Sequence, residues 1–233
     1  MNQVPARPAA PQPRTRIKIC GLTREQDVDA AADAGADAVG FVLWHGSARA
    51  VSADRAAALA ARLPPFVTPV LLFVNEAPAT VRAALARVPG AIAQFHGDET
   101  PALCLQATDN GAYRFIRAAR IPLGAAGAAF DFAKYAADFA AAQAILLDAH
   151  VEGYGGSGQV FDWSLLPCVA DTRLILSGGL TAANVGAGIR LLRLRCRALA
   201  VDVSSGVESA KGIKDAGKIR EFTAAVRNAD ALP

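Results

Sequence analysis

No stretch of the sequence is long and apolar enough to cross a bilayer, and none reads as a secretory leader. The opening residues, MNQVPARPAAPQPRTR, place prolines where a leader needs an unbroken apolar core. Cysteine is scarce. Cys20, Cys104, Cys168 and Cys196 stand far apart with no CxxC pair, which argues against a disulfide framework in a chain of this size. The three histidines, His45, His96 and His150, show no ligand spacing, so no metal is expected. A charge excess of one sign is missing too. Lys+Arg 24 against Asp+Glu 21 leaves only +3, and no basic stripe is interleaved with aromatics, which excludes nucleic acid as a partner. These absences point to a reducing, cytoplasmic compartment without membrane, nucleic-acid or metal partners.

What is present is core material: 53% hydrophobic residues against 19% charged. After a Pro/Arg/Ala-rich tail, expected to be disordered over 1–15, residues 16–233 read as one domain without a linker. Eight short apolar runs follow one another: IKICG, AVGFVLW, TPVLLFV, AIAQFHG, YRFIRAA, AILLDA, RLILSGG and ALAVDVSSG. Alanine-rich segments of helical length lie between them, including FDWSLLPCVA between the sixth and seventh runs. Thr23, Ser52, Thr100 and Thr181 are candidate N-caps, because a side-chain oxygen there can accept from a free N–H of the first turn. Strand–helix alternation implies a parallel sheet, and eight units in this length predict an α/β fold of one class, a single (β/α)8 TIM barrel. A doubly wound open sheet would carry GxGxxG after the first strand, and CGLTRE does not.

Strands of a parallel barrel are covered on both faces and should be nearly continuous apolar runs, so polar exceptions carry information. Here they gather at the C-terminal ends, where the active sites of this fold lie. Cys20 ends the first strand, with Lys18 two residues before it on the same face. Gln94 and His96 share a face on the fourth, Asp148 ends the sixth, and Asp202 and Ser204 share a face on the eighth. A lone strand-end cysteine is ordinarily a small buried hydrophobe, and a lone aspartate is ordinarily a helix cap. Asp148, however, precedes the long AHVEGYGGSGQV loop instead of a helix. Lys18 and Asp202 are expected to neutralise each other as an interior ion pair.

Gly178 and Gly179 follow the seventh strand; Ser204, Ser205 and Gly206 follow the eighth. Glycines let the backbone approach a ligand, free N–H groups attract an anion, and loops seven and eight are the usual phosphate grip of this fold. A phosphorylated small molecule is therefore expected, with EGYGGSG as a third contact or a flap.

Taken together, KICGLT, QFHGDE, LLDA…GYGGSGQVFDW, LSGGLTAANV and VDVSSGVE…GIKD resemble phosphoribosylanthranilate isomerase, in the family's order and from about Arg16 to the last helix. Phe95 stands where leucine is usual, and Ala149 where serine is frequent. The resemblance implies tryptophan biosynthesis and an Amadori rearrangement of N-(5-phosphoribosyl)anthranilate, an aminoaldose, to an aminoketose, without cofactor. It implies Cys20 as general base and Asp148 as general acid, with Arg49 facing the anthranilate carboxylate. His96, Gly178, Gly179, Asp202, Ser204, Ser205 and Gly206 then complete the substrate site, in a monomer or homodimer. Apolar AILL beside Asp148 would favour its protonated form, and Lys18 would lower the Cys20 thiol pKa. The sister isomerase of histidine biosynthesis is the nearest rival and uses aspartate at the position of Cys20. A binding protein without chemistry would have no reason to combine Cys20, Asp148 and Arg49. A lyase or synthase of the same pathway would need a catalytic lysine or glutamate pair that the sequence does not place.

Overall fold

A computed structural model describes residues 14–122, 124, 127, 129–150, 163 and 168–231, without the side chains of residues 149, 150, 169 and 170. Eight strands close into a barrel in sequence order: β1 (Arg16–Cys20), β2 (Ala38–Val42), β3 (Thr68–Phe73), β4 (Ile92–Phe95), β5 (Phe115–Pro122), β6 (Ala144–His150), β7 (Val169–Leu176) and β8 (Cys196–Val203). Every neighbouring pair is parallel, and β8 returns to β1. This is the expected TIM barrel. Among the described residues seven α-helices cover it: α1 (Glu25–Asp33), α2 (Ala53–Ala60), α3 (Pro78–Arg87), α4 (Pro101–Ala107), α5 (Phe132–Asp138), α6 (Val185–Leu192) and α7 (Ala216–Ala231). A two-stranded antiparallel hairpin, β9 (Glu208–Ala210) and β10 (Ile213–Lys214), interrupts the repeat between β8 and α7. The helix expected in FDWSLLPCVA falls mostly outside the described residues, and β7 begins at Val169, earlier than the apolar run suggests.

Two of the four expected caps hold. Ser52 Oγ accepts from the Arg55 N–H at 3.1 Å and Thr100 Oγ1 from the Leu103 N–H at 3.3 Å, each opening its helix. Thr23 does not cap: its hydroxyl donates to the Gly212 carbonyl at 3.0 Å, and α1 starts at Glu25. Thr181 does not cap either. Its N–H donates to Asn184 Oδ1 at 2.8 Å, so residues 181–184 form a turn and α6 starts only at Val185.

Alternation along the strands divides the interior. Ile17 and Ile19 face outward into the large core between sheet and helices, whereas Lys18 and Cys20 face the barrel axis. Phe95, the departure from the usual leucine, also faces outward and lies between Phe73 and Phe115, with ring centroids at 6.3 and 5.7 Å. Substituting it for leucine therefore changes helix packing and not the reacting groups. Inside, the N-terminal half of the barrel is filled by Val70, Ile116, Ala118, Leu146 and Ile175. The chain's described ends meet. The Thr15 N–H and hydroxyl both donate to the Asp230 carboxylate, at 2.8 and 2.7 Å, so the last residues of the expected tail are tied to α7.

Candidate active site

The C-terminal mouth of the barrel holds a cleft lined by Cys20, Val42, Trp44, Ser47, Arg49, Leu72, Val74, His96, Asp202 and Ser204. Its residues come from β1, β2, β3, β4, β8 and their following loops. Sequence reading had placed Cys20, Arg49, His96, Asp202 and Ser204 in one site, and the fold brings these five together. It had not identified Trp44, Leu72 and Val74, which with Val42 form an apolar wall beside the thiol.

Cys20 lies almost wholly buried next to Lys18. The register of β1 on β8 pairs Lys18 with Asp202, so their side chains meet inside the barrel with Nζ 3.0 Å from Oδ1. The expected ion pair is present. Lys18 acts on the thiol in the expected direction but does not decide the net result. Burial pushes the Cys20 thiol up, Lys18 opposes this and Asp202 reinforces it, leaving the thiol above its ordinary value. Burial pushes Lys18 down, but Asp202 and Cys20 outweigh it and hold its ammonium above the usual range.

Asp148 lies two residues before the end of β6, which runs on to His150 and not, as expected, only to Asp148, and is three strands from β1 by way of β8 and β7. Its Oδ2 lies 2.9 Å from His96 Nε2, and His96 Nδ1 lies 3.2 Å from the Gln94 carboxamide nitrogen. Apolar surroundings alone, the expectation from AILL, are thus not the whole environment of this carboxyl. His96 links Asp148 to the same cleft that Cys20 lines. Arg120, in register with Asp148 on β5 and on the same face, was also missed. Continuing the alternation from Ile116 and Ala118 would have found it, but the expected strand stopped at Ala119.

Arg49 is buried in the loop after β2, where its N–H donates to Ser47 Oγ at 3.1 Å. The Nε and Nη2 groups donate to the two carboxylate oxygens of Glu208, both at 2.7 Å. This fork-to-fork pairing fixes the guanidinium plane while Nη1 has no partner among the described residues. Glu208 also accepts from Lys214 Nζ at 2.8 Å, and Lys214 reaches the Ser204 carbonyl at 3.0 Å. Burial pushes Glu208 up, but the bonds from Arg49 and Lys214 outweigh it and hold the carboxylate below its usual range. Burial pushes Lys214 down, only partly countered by Glu208. The hairpin β9–β10 therefore clamps Arg49 and the β8 loop at once. Both residues stand in VE…GIKD, but nothing in their spacing reveals a partner 159 positions away.

In the loop after β7, Gly178 and Gly179 take φ values of +77° and +61°, the left-handed region that only glycine adopts without strain. Their N–H groups meet no acceptor among the described residues. Ser205 and Gly206 form a short 3-10 turn after β8, and Gly206 lies so close to the Leu180 carbonyl that no Cβ fits between them. The two loops expected to grip phosphate thus touch each other. The EGYGGSG loop lies outside the described residues, as does the Ala149 side chain. No cluster of His, Cys, Asp and Glu suited to a metal occurs among the described residues, nor a helix long and apolar enough to span a membrane.

The family model for N-(5'phosphoribosyl)anthranilate (PRA) isomerase matches residues 17–225. The N-(5'-phosphoribosyl)anthranilate isomerase of Methylibium petroleiphilum is 61% identical over 94% of this chain and 96% of its own length. That of Leptothrix cholodnii is 57% identical over 94% and 93%. Among solved structures, phosphoribosyl anthranilate isomerase from Thermotoga maritima superposes with a TM-score of 0.79 at 36% identity, covering 92% of this chain and 99% of that one. A phosphoribosyl anthranilate isomerase in complex with reduced 1-(o-carboxyphenylamino)-1-deoxyribulose 5-phosphate gives 0.74 at 32% identity, with the same coverage.

Proposed function

The chain belongs to the N-(5'-phosphoribosyl)anthranilate isomerase family, an isomerase of tryptophan biosynthesis, and from that premise we propose how its residues divide the Amadori rearrangement. Cys20 is the general base and Asp148 the general acid. Asp148 gives a proton to the furanose ring oxygen, the ring opens, and the resulting imine acidifies the C–H at the second sugar carbon. The Cys20 thiolate removes that proton to give the enolamine, which becomes the aminoketone as the first sugar carbon takes up a proton and the enol hydroxyl loses one. The reaction is internally redox-neutral, and the proposed steps use only acid, base and binding groups.

The observation that carries this reading is convergence. The cleft lined by Cys20 and Arg49 is also lined by His96, whose ring is bonded to Asp148. The apolar wall of Val42, Trp44, Leu72 and Val74 suits the anthranilate ring. Beside it, Nη1 of Arg49 is oriented by Glu208 to meet the ring's carboxylate. The N–H groups of Gly178 and Gly179 and the Ser204–Gly206 turn take the phosphate. Asp202 serves the site through Lys18: it holds the ammonium beside the thiol, which favours the thiolate against its burial.

The test follows the loss of phosphoribosylanthranilate fluorescence in Cys20→Ser and Asp148→Asn. Full turnover in either variant removes that residue from its role. Wild-type turnover of only the bisphosphate aminoaldose of histidine biosynthesis would remove the proposed fit of the cleft.

The oligomeric state belongs with this proposal. A relative in Thermotoga maritima is described as dimeric, with monomers generated from it. In this chain Phe66 is 95% exposed beside a hollow whose apolar lining of Val70, Ile92, Ile116 and Ile175 is edged by the charged Arg16, Lys18 and Asp37. That surface is suited to a second copy and lies at the end of the barrel opposite the cleft.

A further inference from the structure

We infer that Gln94 is a positioning residue for the acid half of the reaction, acting on Asp148 by fixing the tautomer of His96. The inference deepens the reading above and rests on Asp148 being the acid.

Gln94 lies on β4 with its side chain inside the barrel and is fully buried. It belongs to neither of the ionic groups described, Lys18 with Asp202 or Arg49 with Glu208 and Lys214. Its carboxamide nitrogen meets His96 Nδ1 at 3.2 Å, while its Oε1 is buried without a hydrogen-bond partner among the described residues. A buried amide oxygen that gives up its water and gains no donor is a net loss to stability. The neighbouring inward positions on β3 and β5, Leu72 and Ile116, are apolar, so an apolar residue at 94 would serve the core better. Stability does not explain this amide; its one contact does.

With the amide nitrogen turned toward Nδ1, as in this structure, Nδ1 presents its lone pair and the ring proton of a neutral His96 sits on Nε2. Nε2–H then donates to Asp148 Oδ2 at 2.9 Å. This arrangement serves both protonation states of the acid. When Asp148 is protonated, Oδ2 is occupied as an acceptor and the transferable proton is left on Oδ1. When the proton has gone to the ring oxygen, the same Nε2–H stabilises the carboxylate that remains. The opposite tautomer would present a lone pair at Nε2. The acid's O–H would then point at His96 and be withheld from the sugar. Gln94 does not touch substrate; it keeps the acid's proton off His96.

The test combines tautomer and turnover measurements on the full chain. In 15N spectra of labelled imidazoles, His96 should show a protonated Nε2 and a bare Nδ1. In Gln94→Leu, of similar size and without a donor, this signature should become mixed. There kcat should fall about 10- to 100-fold with KM within about threefold, while thermal stability is unchanged or higher because the orphan oxygen is gone. A merely structural amide would instead lower stability and spare the tautomer. A wild-type ring protonated on Nδ1, or a folded Gln94→Leu with unchanged kcat, overturns the inference even with Asp148→Asn inactive. Full turnover in Asp148→Asn removes the acid assignment instead, whatever the tautomer.

Discussion

The two ends of the barrel are made by the same strands under the same alternation, yet their interiors differ in kind. The N-terminal half is closed by Val70, Ile116, Ala118, Leu146 and Ile175, which need no partners. Toward the C-terminal end, beside the apolar wall of Val42, Leu72 and Val74, inward side chains of other strands bring polar groups that do: Lys18 with Asp202, Gln94 with His96, and His96 with Asp148. Burying these groups costs free energy unless their hydrogen bonds are made, so the mouth is stabilised by the floor beneath it. Stability and chemistry are thus separated along the axis of one sheet.

That separation can be broken from either side. The largest effect is expected at the mouth, where Cys20→Ser and Asp148→Asn should each lower kcat by about a thousand-fold, with melting temperature moved by no more than about 2 °C. Lys18→Met crosses the divide. It leaves Asp202 buried and unpaired, at a cost of about 3–5 kcal/mol read by urea unfolding. It also removes the cation that opposes burial of the thiol. The Cys20 pKa, already raised, then rises further, and the increase of kcat with pH should move to more alkaline values. Unchanged pH dependence would separate Lys18 from the thiol.

Arg49→Lys replaces a planar fork by a point charge and should raise KM by about 10- to 100-fold with a smaller change in kcat. Ile175→Ala, in the floor, should lower unfolding free energy by about 2–4 kcal/mol and leave kcat and KM within about twofold. A floor variant that changes kinetics as much as stability would end the comparison. Phe66→Ser should change neither stability nor turnover measurably, and light scattering should show any dimer dissociating.

The barrel was legible because strands covered on both faces must be apolar runs, and eight such runs separated by helical segments leave few alternatives. The start of β7 was not, since Asp171 and Arg173 interrupt its apolar pattern where the pairing with β8 shifts register. In the site, period-two spacing found Cys20, His96 and Asp202, because side chains that share a face also share the mouth. It could not find Glu208 and Lys214, which sit on a hairpin outside the strand–helix repeat and act on a loop distant in sequence. Thr23 and Thr181 misled for a local reason: their positions suit a cap, but the helices start two and four residues later.

The grip of Asp230 on Thr15 has a consequence for how the chain may be cut. With the residue just before the first strand hydrogen-bonded to the last helix, at 2.8 Å from its backbone nitrogen, the order of the eight units is close to a cyclic one. A short splice from α7 to β1, with new ends opened in an exposed connection such as that between α3 and β4, preserves every strand neighbour. The linear beginning of the sequence is then a matter of synthesis, and the folded ring has no starting strand.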